Sequence, residues 1–407
     1  MTRDEAVSVL TKKGQMHVME GFDALDAATQ QALLAQIEAL DWDVLALAGK
    51  SEVVAKGEIS PLESLTLDEI EARRAEYRDA GQEVLRAGKV GAVLLAGGMG
   101  TRLGSDRPKG ELNVGLTREL FIFQCLIQNL MRVTTEVGAF VPLYIMTSEK
   151  NDADTRAFFQ EHNYFGYPES YVKFFVQDMA AAVDYDGKLL LEERGRLATS
   201  PNGNGGWFSS LARSGLLEDI HNRGVEWLNI FAVDNVLQKI ADPVFIGATV
   251  LHGGDCGSKV VRKANPEEKV GVMCREDGKP SIVEYYELSD EMANARDAKG
   301  NLVYGFGVIL NYIFKVSRLE AIMDEKMPTH VVEKKINHID ASGQLVKPET
   351  PNGYKFESLA VDMIKLMEKC IPFEVVREKE FAPIKNLHGV YSLDTARELL
   401  QQNGVVL

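Results

Sequence analysis

The sequence has 407 residues, a formal charge of −15 from 45 Lys and Arg against 60 Asp and Glu, and 45% apolar residues. This composition is ordinary for a globular chain that buries a large core, and it excludes a secreted disulfide scaffold, a collagen and a disordered protein. The acidic balance argues against nucleic acid or a membrane surface as partner, and no apolar run reaches the ~18 residues of a membrane helix. The four cysteines form no C-x-x-C pair, so we expect reduced thiols in a cytoplasmic protein.

Residues 1–88 are predicted to form a helical N-terminal region. Helix-forming Ala, Leu, Gln and Glu dominate residues 24–47. A further helix is predicted to begin after Thr66, because Thr66 and Glu69 have the spacing of a capping box and apolar residues then recur at helical intervals.

From Gly88 onward, short apolar runs alternate with helical segments. Buried strands are predicted within residues 90–98, 141–148, 171–177 and 225–235, and helices within 121–133 and 151–162. This alternation predicts βαβ units and an α/β fold with a Rossmann-like, mostly parallel sheet flanked by helices. Two β-rich segments flank Asp277 and Gly278, which predicts a hairpin.

The most informative stretch is the glycine loop, LLAGGMGTRLGSDRPKG at residues 94–110. A strand runs directly into glycines, whose bare backbone lets N–H groups approach an anion, and Arg102 and Lys109 add cationic donors suited to phosphate oxygens. A helix is expected to follow, with its N-terminal dipole adding to the field. The spacing fits neither a dinucleotide-binding G-x-G-x-x-G, because Leu103 stands at the third glycine position, nor a Walker A loop.

The pattern G-G-x-G-T-R-L-G…P-K resembles the eukaryotic-type UTP-dependent sugar-1-phosphate uridylyltransferases, the UDPGP family, and within it the UDP-N-acetylglucosamine pyrophosphorylases. Other segments resemble this family in the same order, among them FAVDNVLQKIADPVFIG, IVEYYEL, KPETPNGYKFE and REKEFAPIKN. The resemblance implies a nucleotide-diphospho-sugar transferase (GT-A-like) domain at residues 89–388. It also implies a shortened C-terminus at 389–407, a helix and tail left from the family's C-terminal domain.

The resemblance further implies a reaction and the residues that carry it. UTP and a sugar 1-phosphate would give a UDP-sugar and pyrophosphate, with Mg²⁺ as cofactor. The nucleotide is expected against Leu95, Ala96, Gly97, Gly98, Gln177, Gly203 and Asp234. The sugar is expected against Asn204, Gly271, Glu284 and Tyr285. The catalytic cations are expected to be Arg102, Lys109, Lys355 and Lys385, and Asp234 is the expected metal ligand.

Two features of the residues support these assignments independently of the resemblance. Asp234 ends the most apolar predicted strand, and open parallel sheets bind ligands at the carboxyl ends of their strands. Gln177 also ends a strand, and its amide can donate and accept at once, as recognition of a uracil edge requires.

The sugar is the part of the substrate that the sequence leaves open. Family members that recognise N-acetylhexosamine show N-x-G-N-I-x-N-H, whereas this chain has GFGVILNY, with Val308 at the position of the sugar-contacting Asn. Leu359 and Val361 stand in place of an aromatic pair. N-acetylglucosamine, glucose and galactose 1-phosphates all remain candidates, and so does a broad-specificity enzyme.

Two further alternatives are weaker. A glycosyltransferase normally carries an Asp-x-Asp metal pair, which Val233, Asp234 and Asn235 do not form. A non-catalytic nucleotide-sugar sensor would not need the cations of the pyrophosphate side, all of which are present in the sequence. No oligomeric state is predicted.

Overall fold

The computed structural model describes residues 1–50 and 57–407, which divide into two compact units. The described part of the larger unit takes residues 57–177, 207–326 and 360–407. The smaller unit takes residues 1–50, 178–206 and 327–359.

The larger unit is built on a ten-stranded mixed sheet. In chain order its strands are β1 (Ile59–Pro61), β2 (Val90–Leu95), β3 (Leu143–Thr147), β4 (Val172–Val176), β5 (Trp227–Ala232), β6 (Cys256–Arg262), β7 (Val272–Glu276), β8 (Lys279–Val283), β9 (Phe306–Lys315) and β10 (Cys370–Glu374). The main path runs β1-β7-β9-β5-β2-β3-β4, β6 pairs with β9 and β10, and β8 pairs with β7. Strands β5, β2, β3 and β4 are parallel to one another, and β9 is antiparallel to β5.

Helices flank this sheet, as the α/β prediction requires. They are Leu67–Ala72, Arg74–Arg86, Ile122–Val137, Asp152–Glu161, Trp207–Arg213, Leu216–Asn222, Pro243–Leu251, Asp290–Asn294, Val316–Ala321, Arg377–Glu380 and Leu393–Gln402. Every residue of β2 and β3 is buried, because central parallel strands are covered on both faces and their sequences are continuously apolar. The predicted fold class is confirmed, and the carboxyl ends of β2, β4 and β5 lie along one edge of the sheet.

The smaller unit combines short helices with small sheets. Its helices are Arg3–Lys12, Ala27–Glu38 and Trp42–Leu45, and its strands are Met179–Ala181, Val183–Asp184, Leu191–Glu193, Arg196–Leu197, Thr199–Pro201, His330–Lys334, His338–Ile339, Leu345–Val346 and Gly353–Glu357. Apolar side chains of the N-terminal helices, such as Leu10 and Leu33, share a core with Leu189, Leu197 and Phe356.

Several local predictions are confirmed. Thr66 caps the helix Leu67–Ala72 in a capping box with Glu69. Asp277 and Gly278 have φ values of 50° and 78° and join β7 to β8 as a hairpin. The predicted C-terminal helix is present as Leu393–Gln402.

One helix begins farther from the glycine loop than a dipole acting at the loop requires, and one boundary falls elsewhere in the structure. The glycine loop does not lead straight into an α-helix, because the 3₁₀ turns Thr101–Leu103 and Lys109–Glu111 follow it and the next α-helix begins at Ile122. The N-terminal residues are shared between the two units, 1–50 in the smaller and 57–88 in the larger. The division at 88/89 and 388/389 stays a prediction of domain organisation.

Candidate active site

The glycine loop leaves the buried end of β2 and folds back on itself. Ala96 continues the pairing with its N–H to the Met146 carbonyl (2.8 Å). The N–H of Gly100 then donates to the Arg107 carbonyl (2.9 Å), and the N–H of Lys109 donates to the Gly98 carbonyl (3.1 Å). The loop therefore returns Lys109 to the carboxyl end of β2, which ends at Leu95.

Gly97 and Gln177 are packed against each other. A Cβ added at Gly97 would lie 2.1 Å from the Gln177 Nε2 atom, so only glycine allows this approach. Gln177 is buried, and its N–H pairs with the Thr147 carbonyl (2.9 Å) at the ends of β3 and β4. At Gly98, by contrast, an added Cβ would meet no atom of the described chain within 4 Å. The loop thus has one glycine against a buried amide and one facing open space.

The Gly97→Ala variant is expected to raise KM for UTP about tenfold or more. The added methyl must displace the Gln177 amide, and forcing atoms into a packed site costs roughly 1–3 kcal/mol. Steady-state kinetics with UTP varied at a saturating sugar 1-phosphate measures the effect. Gly91→Ala is the matched control. Gly91 lies in β2, before the loop begins, and its added Cβ would press on Leu228 of β5 (2.9 Å). An equal rise of KM in both variants would contradict the role given to Gly97.

Asn151 is a residue of this site that the sequence analysis did not identify as functional. Its buried side-chain amide donates to the carbonyls of Ala96 (2.9 Å) and Gly98 (3.3 Å), and its Oδ1 accepts from the N–H of Ser148 (2.8 Å). It occupies the N-cap position of helix Asp152–Glu161 but makes no side-chain capping hydrogen bond there. The side chain instead fixes the glycine loop. The sequence signal that could have identified Asn151 is its position as a polar residue shortly after β3, whose carboxyl end lies at the same edge of the sheet as that of β2.

Asp234 and the predicted cations of the larger unit meet beside this loop. The Lys109 Nζ atom lies 3.8 Å from Asp234 Oδ2, and the two side chains are 16% and 22% exposed. The N–H of Ile384 donates to the Asp234 carbonyl (2.9 Å), which places Lys385 next to the same loop. Asp234, two residues after β5 ends, therefore has Lys109 of the glycine loop beside its carboxylate and the segment that leads to Lys385 bound to its backbone.

The electrostatics of Lys109 show how crowded with positive charge this place is. Burial lowers the pKa of Lys109, and the nearby Lys385 and Arg102 lower it further, while the Asp234 carboxylate opposes them. One carboxylate does not balance three cations, so the local field favours an anion even though the whole chain is acidic. This arrangement suits phosphate groups.

The predicted sugar-binding residues of the larger unit also lie together. A Cβ added at Gly271 would lie 3.2 Å from Glu284 Oε1 and 3.5 Å from Val308 Cγ2. The N–H of Val308 donates to the Gly271 carbonyl (2.9 Å), and the N–H of Glu284 donates to Glu287 Oε2 (2.8 Å). Tyr285 follows as a partly exposed ring. A carboxylate and a valine thus face the same small space.

The remaining predicted site residues belong to the smaller unit. Gly203 has φ +86°, and a Cβ there would lie 2.1 Å from the Ser358 carbonyl oxygen. The N–H of Ser358 donates to the Asn202 carbonyl (2.7 Å), so the turn that carries Gly203 and Asn204 is joined to the end of the strand Gly353–Glu357. Lys355 lies on that strand. The three residues are therefore neighbours within their own unit.

The described residues contain no ready-made metal cage. Within residues 1–50 and 57–407, no group of three or more His, Cys, Asp or Glu side chains is placed to hold a metal ion. A single carboxylate such as Asp234 suits Mg²⁺, which keeps several waters and takes most of its other ligands from substrate phosphates. None of the helices formed by these residues has the length and apolar character to cross a lipid bilayer.

Comparisons with known proteins show the family to which the chain belongs. The UDPGP family, described as UTP–glucose-1-phosphate uridylyltransferase, matches residues 26–404. The chain is 39% identical to UDP-N-acetylhexosamine pyrophosphorylase-like protein 1 of Mus musculus over 402 residues, covering 93% of this chain and 79% of the relative. It is 36% identical to UDP-N-acetylglucosamine pyrophosphorylase of Saccharomyces cerevisiae, with 92% and 84% covered.

A solved structure supports the same family. It is the uridine diphosphate N-acetylglucosamine pyrophosphorylase from Trypanosoma brucei in complex with inhibitor, with a TM-score of 0.82 at 28% identity, covering 99% of this chain and 85% of that one. The resemblance inferred from the sequence is confirmed. The chain therefore belongs to the UTP–glucose-1-phosphate uridylyltransferase family, and it is a nucleotidyltransferase that converts UTP and a sugar 1-phosphate to a UDP-sugar and pyrophosphate.

Proposed function

We propose that the chain makes UDP-N-acetylglucosamine from UTP and N-acetylglucosamine 1-phosphate, with Mg²⁺, in the cytoplasm. The gathering of Asp234, Lys385 and Arg102 around Lys109, beside the glycine loop, is the observation that supports the chemistry. The names of the mouse and yeast relatives support the sugar. The four free cysteines, all buried, suit a reducing compartment.

The chain's own residues have one main task in this reaction, which is to bring two anions together. The phosphate oxygen of the sugar 1-phosphate attacks the α-phosphorus of UTP in line, and pyrophosphate leaves. A phosphate is already ionised at neutral pH, so no general base is needed. The positive charges of Lys109, Arg102 and Lys385 would offset the repulsion between the two anionic reactants. They would also stabilise the negative charge that develops on the departing pyrophosphate. Rate enhancement then comes from positioning and charge neutralisation.

The nucleotide would be held at the ends of β2 and β4. Backbone groups of Gly97 and Gly98 face it, and the Gln177 amide, fixed by its packing on Gly97, would pair with the uracil edge. Enzymes of this family typically use a divalent metal. When bound, Mg²⁺ supplies positive charge at the phosphate oxygens, and Asp234 would be its protein ligand. The roles expected of Gly203, Asn204 and Lys355, which belong to the smaller unit, stay predictions from the resemblance.

The sugar pocket would be formed by Gly271, Glu284 and Tyr285, with Val308 at its side. Glu284 can accept hydrogen bonds from sugar hydroxyls, whereas Val308 offers only methyl groups. A site with Asn at this position could hydrogen-bond one more polar group of the sugar. With Val308 there, the enzyme is expected to discriminate less between sugars. The alternative function is accordingly a UDP-glucose or UDP-galactose type, or a broad-specificity, pyrophosphorylase.

A panel of sugar 1-phosphates tests both the function and the role of Val308. With UTP and Mg²⁺, kcat/KM for pyrophosphate release is expected to be highest with N-acetylglucosamine 1-phosphate, ahead of glucose and galactose 1-phosphates. Val308→Asn is expected to change the ratio between these sugars by about tenfold, because a gained or lost polar contact shifts discrimination by this order. Val303→Asn, at another half-buried valine, is the control. A wild-type preference for glucose 1-phosphate would instead establish the UDP-glucose alternative.

A further inference from the structure

A chain of buried side-chain amides lies behind the turn that presents Asp234. Its members are 0–1% exposed and come from β5, from the turn after β5 and from β9: Asn229, Asn235, Gln238 and Asn311. Burying an amide is unfavourable unless all its polar atoms are paired, so a continuous set of four needs an explanation. Apolar side chains would fill the same space without this requirement.

The amides form an ordered relay in which each donor has a partner. Asn229 donates to Asn311 Oδ1 (2.9 Å) and to the Tyr312 carbonyl (2.8 Å). Asn311 donates to Gln238 Oε1 (3.2 Å) and to the Lys239 carbonyl (3.2 Å). Gln238 then donates to the carbonyls of Ala232 (2.7 Å) and Asn235 (2.9 Å). Fully satisfied networks of this kind fix one geometry in a low-dielectric interior.

The relay ends on both sides of Asp234. Gln238 binds the carbonyl of Ala232, two residues before Asp234, and that of Asn235, directly after it. The Asn235 side chain donates to the Glu380 carbonyl (2.8 Å) and accepts from the Ala382 N–H (2.9 Å). The segment that leads to Lys385 is thus anchored to the same turn. Residues 233–242 form no helix or strand, and their backbone pairing is sparse: the N–H of Val233 donates to the Leu95 carbonyl (3.2 Å) and Asn235 forms a single bridge with Pro383. The side-chain amides add the remaining support of this turn.

We infer that Gln238, supported by Asn311 and Asn229, is a positioning residue that sets where the Asp234 carboxylate meets the metal-bound nucleotide. The inference rests on the proposed function, because it gives Asp234 the task of holding the divalent ion. Gln238 is not one of the predicted substrate-binding residues. It acts on Asp234 through the backbone carbonyls of Ala232 and Asn235. A shift of about 1 Å at a reacting centre can lower a rate by 10²-fold, so a loosened turn has a large effect on catalysis.

Gln238→Met tests this inference, since methionine keeps the volume and removes both donors and the acceptor. We expect kcat to fall at least about tenfold. We also expect the Mg²⁺ dependence of UTP binding, measured by titration calorimetry without the sugar 1-phosphate, to shift to a several-fold higher Mg²⁺ concentration. KM for the sugar 1-phosphate is expected to change less than about twofold, because the sugar residues lie outside the relay. Assays run well below the unfolding temperature of each variant, which circular dichroism determines.

Gln15→Met is the matched control. Gln15 is also a buried glutamine that bridges distant backbone, donating to the Gly187 carbonyl (2.8 Å) and accepting from the Leu189 N–H (3.0 Å). It lies in the smaller unit, outside the predicted site residues. The control is expected to lose stability as Gln238→Met does, while its Mg²⁺ dependence stays that of the wild type. The same Mg²⁺ dependence in both variants would overturn the inference.

A second variant covers the case in which Gln238→Met does not fold. Asn129, on helix Ile122–Val137, donates to the carbonyls of Val236 (3.0 Å) and Gln238 (3.2 Å) and is less buried. Asn129→Ala is expected to give a smaller shift of Mg²⁺ dependence in the same direction, and an unchanged curve would overturn the inference. Wild-type enzyme that releases no pyrophosphate under Mg²⁺ would instead contradict the proposed function, so the two failures are distinguishable.

Discussion

Lys109→Ala is expected to lower kcat for pyrophosphate release about 10³-fold, since preorganised charges at a transferring phosphate are worth this order of rate. The Lys109 ammonium lies 3.8 Å from Asp234 at the end of the glycine loop, where the charge of the departing pyrophosphate would develop. A coupled pyrophosphate assay at saturating UTP and sugar 1-phosphate measures the loss. Lys89→Ala is the control, because Lys89 is a partly exposed lysine that pairs with Glu226 (2.8 Å). Turnover within a few-fold of the wild type in Lys109→Ala would show that the role given to Lys109 is wrong.

The pH dependence of the wild type offers a second readout of the same residue. Burial and the neighbouring cations lower the pKa of Lys109 in the free enzyme, so its ammonium is lost at a lower pH than that of an exposed lysine. Because the charged form is the useful one, kcat/KM is expected to fall on the alkaline side as pH rises through this lowered pKa. Bound phosphates favour the ammonium, so the alkaline limb of kcat is expected at a higher pH than that of kcat/KM.

The parts of the fold that the sequence predicts well depend on neighbouring residues. The strand β2 and its glycines, the capping box at Thr66, and the turn at Asp277 and Gly278 are each specified by a few consecutive residues. The helix predicted within residues 121–133 is present as Ile122–Val137, but none begins directly after the glycine loop, because the loop closes on itself through hydrogen bonds such as that from Lys109 to Gly98. The apolar pattern that predicts the later helix carries no information about this closure of the loop.

The residues that the sequence analysis missed depend on partners far along the chain. Asn151 lies in a predicted helical segment and Gln238 in a segment that resembles the family, and nothing in the sequence marks either as functional. Asn151 donates to the Ala96 carbonyl and Gln238 accepts from Asn311, contacts that only folding brings about. The N-terminal helices were likewise placed in one region, although residues 1–50 share a core with Leu189 and Phe356. The predicted site residues, by contrast, follow from motifs of consecutive residues that resemble the family, and their roles stay predictions.

Asp234→Asn is expected to lower kcat about 10³-fold at millimolar Mg²⁺ while leaving the fold intact, because the amide has the same shape and carries no charge. The effect on nucleotide binding has the opposite sign. Without the carboxylate, Lys109, Lys385 and Arg102 are left uncompensated, so metal-free UTP is expected to bind as tightly as to the wild type or more tightly. Titration calorimetry without divalent ions measures this affinity, and the Mg²⁺ activation curve measures the loss of rate.

The same substitution also changes the titration of Lys109. The Asp234 carboxylate raises the pKa of Lys109 against burial and the other cations, so its removal lowers that pKa further. The alkaline limb of kcat/KM is therefore expected to move to lower pH in the residual activity of Asp234→Asn. Asp219→Asn is the control, since Asp219 is a half-buried carboxylate paired with Arg223 (2.8 Å) away from the predicted site residues. An unchanged Mg²⁺ activation curve in Asp234→Asn, or the same change in Asp219→Asn, would remove Asp234 from the metal site, and Lys109 would then act on the phosphates without a carboxylate beside it.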